Sequence, residues 1–141
     1  MDRGIPMNNE IPGLPPGEVT GGPRLLLRLE GLTLFITMTG LYALWGGSWW
    51  IYVILFLAPD ISFIGYLDSP RTGAALYNAA HSYMAPILLM AIGIALSAPL
   101  IMSLAMIWLA HIGIDRALGY GLKYVAGFGF THLGRIGKAR T

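Results

Sequence analysis

The chain alternates long apolar runs with short polar breaks. Four runs stand out, from about Arg24 to Trp45, Trp49 to Leu67, Thr72 to Leu96 and Pro99 to Leu118. Each holds about 20 residues, the length of a helix that crosses a bilayer core. The separators Gly46-Gly47-Ser48, Asp68-Ser69-Pro70-Arg71 and Ser97-Ala98-Pro99 carry turn chemistry. Links this short return the chain antiparallel, so the pattern predicts an all-α, up-down-up-down integral membrane four-helix bundle over residues 24–118. Residues 1–23 are Pro/Gly-rich with no apolar period and read as an extended or disordered tail. Residues 119–141 are Gly-rich and basic, too short and broken for a fifth span. They read as an interfacial loop, a lid over the bundle mouth, or a basic tail drawn to anionic lipid.

Composition agrees. Hydrophobic residues make up 55% and charged residues 11% of the chain, against roughly 25% charged in soluble domains. Such a chain cannot cover a globule with water-compatible side chains. With no cysteine, disulfides, thiolate metal sites and cysteine nucleophiles are excluded. The acidic Asp2, Glu10 and Glu18 and several prolines precede any apolar run, which reverses the order of a cleavable signal peptide.

Charge orients the bundle. In this topology all 9 Lys and Arg residues fall on the side that holds both termini and the middle loop. The positive-inside rule places that side in the cytoplasm, N-in and C-in. Trp45, Trp49 and Trp50 cluster at the opposite, uncharged face as an interfacial aromatic belt.

The stretch His111-Ile112-Gly113-Ile114-Asp115-Arg116 then changes the picture. On a helix, His111 and Asp115 share a face. Ionisable groups inside an apolar span are costly and usually mark function. At about 1.5 Å per residue, Asp60 and His81 lie about 13 Å below the cytoplasmic face, His111 roughly 12 Å and Glu30 about 9 Å, with Asp115 shallower. All four helices thus bring an ionisable group to one half of the membrane. Polar stripes predict which faces turn inward: Glu30, Thr33, Thr37 and Gly40 on the first helix; Asn78, His81, Ser82 and Ala85 on the third; Trp108, His111 and Asp115 on the fourth. Pro59, just before Asp60, should bend the second helix.

Two imidazoles and two carboxylates without cysteine suit Zn, Mn or non-haem Fe. Asp60, His81, His111 and Asp115 are the expected metal ligands. Glu30 is the expected general base, and Arg116 and Lys123, with Arg71, would position an anionic group. Asn78 would hold an imidazole tautomer. A metal-free polar network joining the helices is the plain alternative, and a haem held by His81 and His111 a weaker one, because its propionates would meet the carboxylates. His132, alone in the Gly-rich tail, is expected to be exposed.

The chemistry supports a metal-dependent membrane hydrolase acting on a lipid or isoprenoid-like substrate. A non-catalytic accessory subunit of a larger membrane protein complex, clamped through its tails, is the second expectation. A small proton-linked transporter ranks last, since Leu, Ile, Phe and Trp seal the outer half. Gly40, Gly73 and Gly93 offer close contacts for a homodimer. No nucleic-acid partner is expected, and no phosphate loop, nucleophile elbow or two-histidine zinc-protease motif is present.

Several runs act together as a signature: Arg24-Leu25-Leu26-Leu27-Arg28-Leu29-Glu30-Gly31, Leu57-Ala58-Pro59-Asp60-Ile61-Ser62, Tyr77-Asn78-Ala79-Ala80-His81, the His111–Arg116 stretch leading into Gly119-Tyr120-Gly121-Leu122-Lys123-Tyr124, and Thr131-His132-Leu133-Gly134. Over roughly 24–137 the chain resembles a family of small bacterial four-helix membrane proteins described only as a domain of unknown function. The resemblance implies a bacterial inner-membrane location and no particular activity.

Overall fold

The structure, a computed structural model, describes residues 17–137. The expected N-terminal tail lies outside the described residues as far as residue 16. The architecture is an all-α four-helix bundle whose four spans are long and apolar enough to cross a membrane. The first span is helix α1 (Gly21–Trp45). The second joins α2 (Trp49–Phe56) to a 3₁₀ segment (Ala58–Leu67). The third joins α3 (Pro70–Ala80) to α4 (Met84–Ala95). The fourth is α5 (Pro99–Leu118).

Helix α5 is the axis of the bundle. Half of its apolar window is buried among the other spans, against 11–17% for theirs. It packs on α1, α2 and α4. The contact with α1 is a backbone crossing of two glycines. A Cβ at Gly31 would stand 2.7 Å from the Gly113 carbonyl, and one at Gly113 would stand 2.8 Å from the Gly31 carbonyl and 2.7 Å from the Phe35 nitrogen. Small residues of this kind let membrane helices approach where no water-driven force pulls them together. The far half closes around Tyr42, Tyr52, Met106, Ile107 and Ala110. Its aromatic hydroxyls are satisfied locally: Tyr42 donates to the Ser48 carbonyl at 2.7 Å, and Thr39 and Tyr52 share a bond of 2.6 Å. Trp45, Trp49 and Trp50 sit exposed at that end.

Two spans are broken at the depth of the ionisable residues. In the second, Pro59 supplies no amide hydrogen, and the α-helix passes into the 3₁₀ segment that carries Asp60. In the third, the helix stops at His81 and resumes at Met84. The sequence pattern suggested one continuous helix there. Pro86 explains the gap, because it cannot donate to the carbonyl four residues earlier. Carbonyls left near the break find partners on α5: Trp108 Nε1 donates to Ala80 at 2.7 Å and Arg116 Nη2 to His81 at 2.7 Å. Irregular backbone is tolerated at membrane depth only when its polar groups are met inside the protein.

The inward face of α1 is not the expected one. Glu30, Thr33, Thr37 and Gly40 are all exposed, whereas Gly31 and Tyr42 are buried. Phe35 and Met38 pack against the core. The Gly31–Gly113 crossing and the aromatic packing of Phe35 on Phe56 set the rotation of this helix. The polar stripe is thereby left outward. Of the three glycines expected to serve a dimer, Gly73 is packed against Tyr66 and Gly93 against Met102 within the same chain; Gly40 alone faces open space.

After Gly119 caps α5 in the left-handed conformation, the C-terminal segment folds back. Strand β1 (Phe130–Thr131) pairs antiparallel with β2 (Gly134–Arg135), and Lys123 bridges to Thr131. Thr131 and Leu133 are fully buried. The Val19 amide donates to the His132 carbonyl at 2.7 Å, so the chain just before α1 is tied to this hairpin. The segment is therefore a folded lid over the end of the bundle where α1 begins and α5 ends.

Candidate metal centre

Three breaks and turns aim four side chains at one point. Asp60 comes from the 3₁₀ segment, His81 from the end of α3, and His111 and Asp115 from successive turns of α5. One donor atom from each lies within 4.8 Å of all the others. His81 Nε2 is 3.0 Å from His111 Nε2, 3.4 Å from Asp60 Oδ1 and 3.4 Å from Asp115 Oδ2. His111 Nε2 is 3.4 Å from Asp60 Oδ1 and 3.7 Å from Asp115 Oδ2. A tetrahedral ion with bonds of about 2.0–2.2 Å has ligand–ligand edges of roughly 3.3–3.6 Å. Those five separations bracket that range. The donor set, two imidazoles and two carboxylates, suits a divalent metal of intermediate softness.

The surroundings prepare part of this set. His81 Nδ1 donates to the Tyr77 carbonyl at 2.9 Å, which leaves the Nε2 lone pair aimed at the cluster. The Tyr77 ring stacks on His81 with centroids 3.7 Å apart, and its hydroxyl donates to Asp115 Oδ2 at 3.1 Å. His111 differs: Phe56 stands edge-on to its ring, and its buried Nδ1 has no hydrogen-bond partner among the described residues. Four lone-pair donors this close repel one another unless a cation or shared protons lie between them. A haem held between the two imidazoles would not fit, because His81 Nε2 and His111 Nε2 stand only 3.0 Å apart.

Burial separates the four. The side chains of His81, His111 and Asp115 are 0%, 3% and 14% exposed, whereas Asp60 is 36% exposed. Asp60 and Asp115 open onto a cavity of about 290 Å³ also lined by Phe63, Tyr77, Lys123 and Phe128. Lys123 enters it from the lid. Its ammonium donates to the Phe128 carbonyl at 2.8 Å and lies 3.7 Å from the centre of the Phe128 ring and 4.7 Å from that of Tyr77. Burial pushes the Lys123 amine down to about 8, while Asp115 and Asp60 pull it the other way.

The remaining sequence candidates are placed elsewhere. Glu30 is exposed on the outer face of α1 and does not reach the cluster. Arg116 is buried and holds backbone, donating to His81 O and, at 2.8 Å, to Tyr120 O. Arg71 is exposed at the start of α3. Asn78 holds the lid rather than an imidazole: its Oδ1 accepts from the Lys123 amide at 2.7 Å and its Nδ2 donates to the Lys123 carbonyl at 2.9 Å. Tyr77 was not singled out by its sequence context, although its spacing of four from His81 places it one helical turn away.

His132 is half-buried rather than exposed, and its Nδ1 accepts the Leu122 amide at 2.8 Å. Burial, with the Arg116 charge, holds its imidazole below the ordinary histidine value. The docked lid thus favours neutral His132. Its full stability is present above about pH 6.5 and is lost as pH falls through the lowered value. Protection of the Leu122 and Lys123 amides, taken relative to their intrinsic exchange rates at each pH, is expected to fall severalfold between pH 7.5 and pH 5 in the intact protein, and the fall is expected to shrink in His132→Gln. Equal protection at both pH values would contradict this.

Neither a curated protein nor a solved structure matches the chain. A family model matches residues 24–136, which covers the bundle and the lid; the chain belongs to the family described as the domain of unknown function DUF4260.

Proposed function

We propose that the protein is a membrane-embedded, metal-dependent hydrolase that acts on a lipid or isoprenoid-like substrate. The observation that carries this reading is the convergence of four donor atoms beside a cavity that also holds a buried lysine. His81, His111 and Asp115 would hold the metal, and Asp60, the exposed member, would complete the set or take a proton at the cavity wall. A bound divalent ion would supply Lewis-acid activation. Tyr77 fixes the orientation of Asp115 and, through its carbonyl, of His81. Lys123 would hold an anionic group of the substrate. The lid residues Phe128 and Ile136 narrow the access of water. Because the two loops at the opposite end, 46–48 and 97–99, carry no basic residue, the end that bears Arg24, Arg71 and Lys123 would face the cytoplasm of a bacterial inner membrane.

The test is elemental analysis of detergent-purified protein, with an absorption spectrum, followed by hydrolysis assays on phosphorylated and esterified lipids. Stoichiometric metal and turnover of a lipid are expected. A metal-free, colourless preparation would overturn the reading.

A second reading, a subunit of a larger membrane assembly, is favoured by the outward stripe on α1. Glu30, Thr33 and Thr37 face the bilayer, where ionisable and polar groups ordinarily turn inward. A disulfide or bifunctional cross-link from Thr37→Cys to another helix in native membranes is expected on this reading. Absence of any adduct, with a lipid-facing Ile36→Cys equally silent, would count against it.

A further inference from the structure

We infer that the groove on the bilayer side of the metal cluster seats one hydrocarbon chain of the lipid substrate. This inference rests on the hydrolase reading and names the part of the substrate that the polar cavity does not accommodate. The groove is a cavity of about 380 Å³ between the second, third and fourth spans, near the lower end of the roughly 300–1,000 Å³ common for ligand pockets. Its walls include Ala58, Pro59, Ala80, Leu104 and Trp108. Every wall residue belongs to a membrane-crossing span.

Two polar groups in the walls are already satisfied. Ser62 Oγ donates to the Pro59 carbonyl at 2.7 Å, and Trp108 Nε1 donates to the Ala80 carbonyl at 2.7 Å. The lining therefore offers carbon to an occupant and leaves neither of these donors seeking a partner. A polar headgroup or a peptide backbone would go unpaired there.

Continuity with the cluster selects the substrate's own chain over any other occupant. Pro59 precedes Asp60, Ala80 precedes His81, and Trp108 lies one helical turn before His111. The same three stretches line the groove with one residue and supply a ligand with another. The polar cavity holds Asp60, Asp115 and Lys123. An amphiphile would thus place its anionic group with Lys123 and its chain along Pro59 and Trp108, with the bond between them at the cluster. A chain moving from bilayer to groove removes no apolar area from water, so the groove selects by shape and orientation more than by affinity.

The test uses full-length protein in nanodiscs of phosphatidylglycerol containing an analogue with a diazirine in one acyl chain. After irradiation, labelling within 55–62 and 104–108 is compared with labelling at the lipid-facing Ile87 and Leu88. Severalfold enrichment in the groove is expected, and Ala58→Trp and Leu89→Trp, which fill it from opposite walls, are each expected to abolish the enrichment while metal content stays unchanged. Uniform labelling of all lipid-facing segments, or enrichment that survives both tryptophans, would overturn the inference. Metal content is measured on the same samples. Groove-specific labelling of a metal-free protein would retain the lipid site and sink the hydrolase reading; uniform labelling of a metal-loaded protein would do the reverse.

Discussion

His81→Ala and His111→Ala are each expected to reduce bound metal to background while the bundle still inserts. Both imidazoles are buried, and each contributes one of the four donors. Altering a group that merely orients a ligand already costs 10–100-fold in metal affinity, so removing the ligand itself should cost more than about 100-fold. Tyr77→Phe provides the graded case. It keeps the carbonyl that fixes His81 but deletes the hydroxyl that meets Asp115; a loss of about tenfold in affinity is expected. Glu30→Gln, exposed and remote from the cluster, should change nothing. Isothermal titration with Zn²⁺ and Mn²⁺ after chelation separates these outcomes. In a metal-free network, His111 Nε2–H would instead donate to His81 Nε2, leaving His111 Nδ1 as the buried, unpaired acceptor. The four variants would then differ in thermal stability with no binding heat in any of them.

The bundle was legible because membrane spans are written in one dimension. Twenty apolar residues and a turn suffice, and the boundaries Trp49–Leu67 and Pro99–Leu118 coincide with the observed spans. The cluster was legible for a related reason. Depth follows from counting residues, and Asp60, His81 and His111 count to one level. What counting cannot supply is rotation. The polar stripe of α1 was expected to face inward, yet the Gly31–Gly113 crossing, a contact between residues 82 positions apart in the sequence, turns Glu30 outward. Arg116 shows the same limit: expected to position an anionic group, it instead caps a broken helix whose break depends on Pro86. Lys123, expected in the same role, is carried into the cavity by the lid fold. The lid itself was ambiguous because it is held by backbone bonds and by Asn78, none of which leaves a periodic trace.

Gly113→Ala is expected to destabilise the bundle and lower metal occupancy together, whereas Gly40→Ala is expected to be neutral or mildly stabilising. The chemistry of the two changes is identical. A methyl group in a helix interior is intrinsically favourable over glycine by up to about 1 kcal/mol. At Gly40 no atom of the described residues lies within 4 Å of the new atom, so that gain is unopposed. At Gly113 the new atom meets the Phe35 nitrogen at 2.7 Å and the Gly31 oxygen at 2.8 Å. Both are backbone atoms of α1 and cannot rotate away, so the two helices must separate. Overpacking of a tight contact costs about 1–3 kcal/mol, and this site should lie at the upper end. Helix α5 also carries His111 and Asp115, two positions before and two after Gly113. A shift of α5 against α1 should therefore misplace two of the four donors. Thermal unfolding in detergent, followed by circular dichroism, and metal analysis of the same samples are the measurements. A Gly113→Ala protein with wild-type unfolding temperature and full metal would show that α1 and α5 do not cross at these glycines.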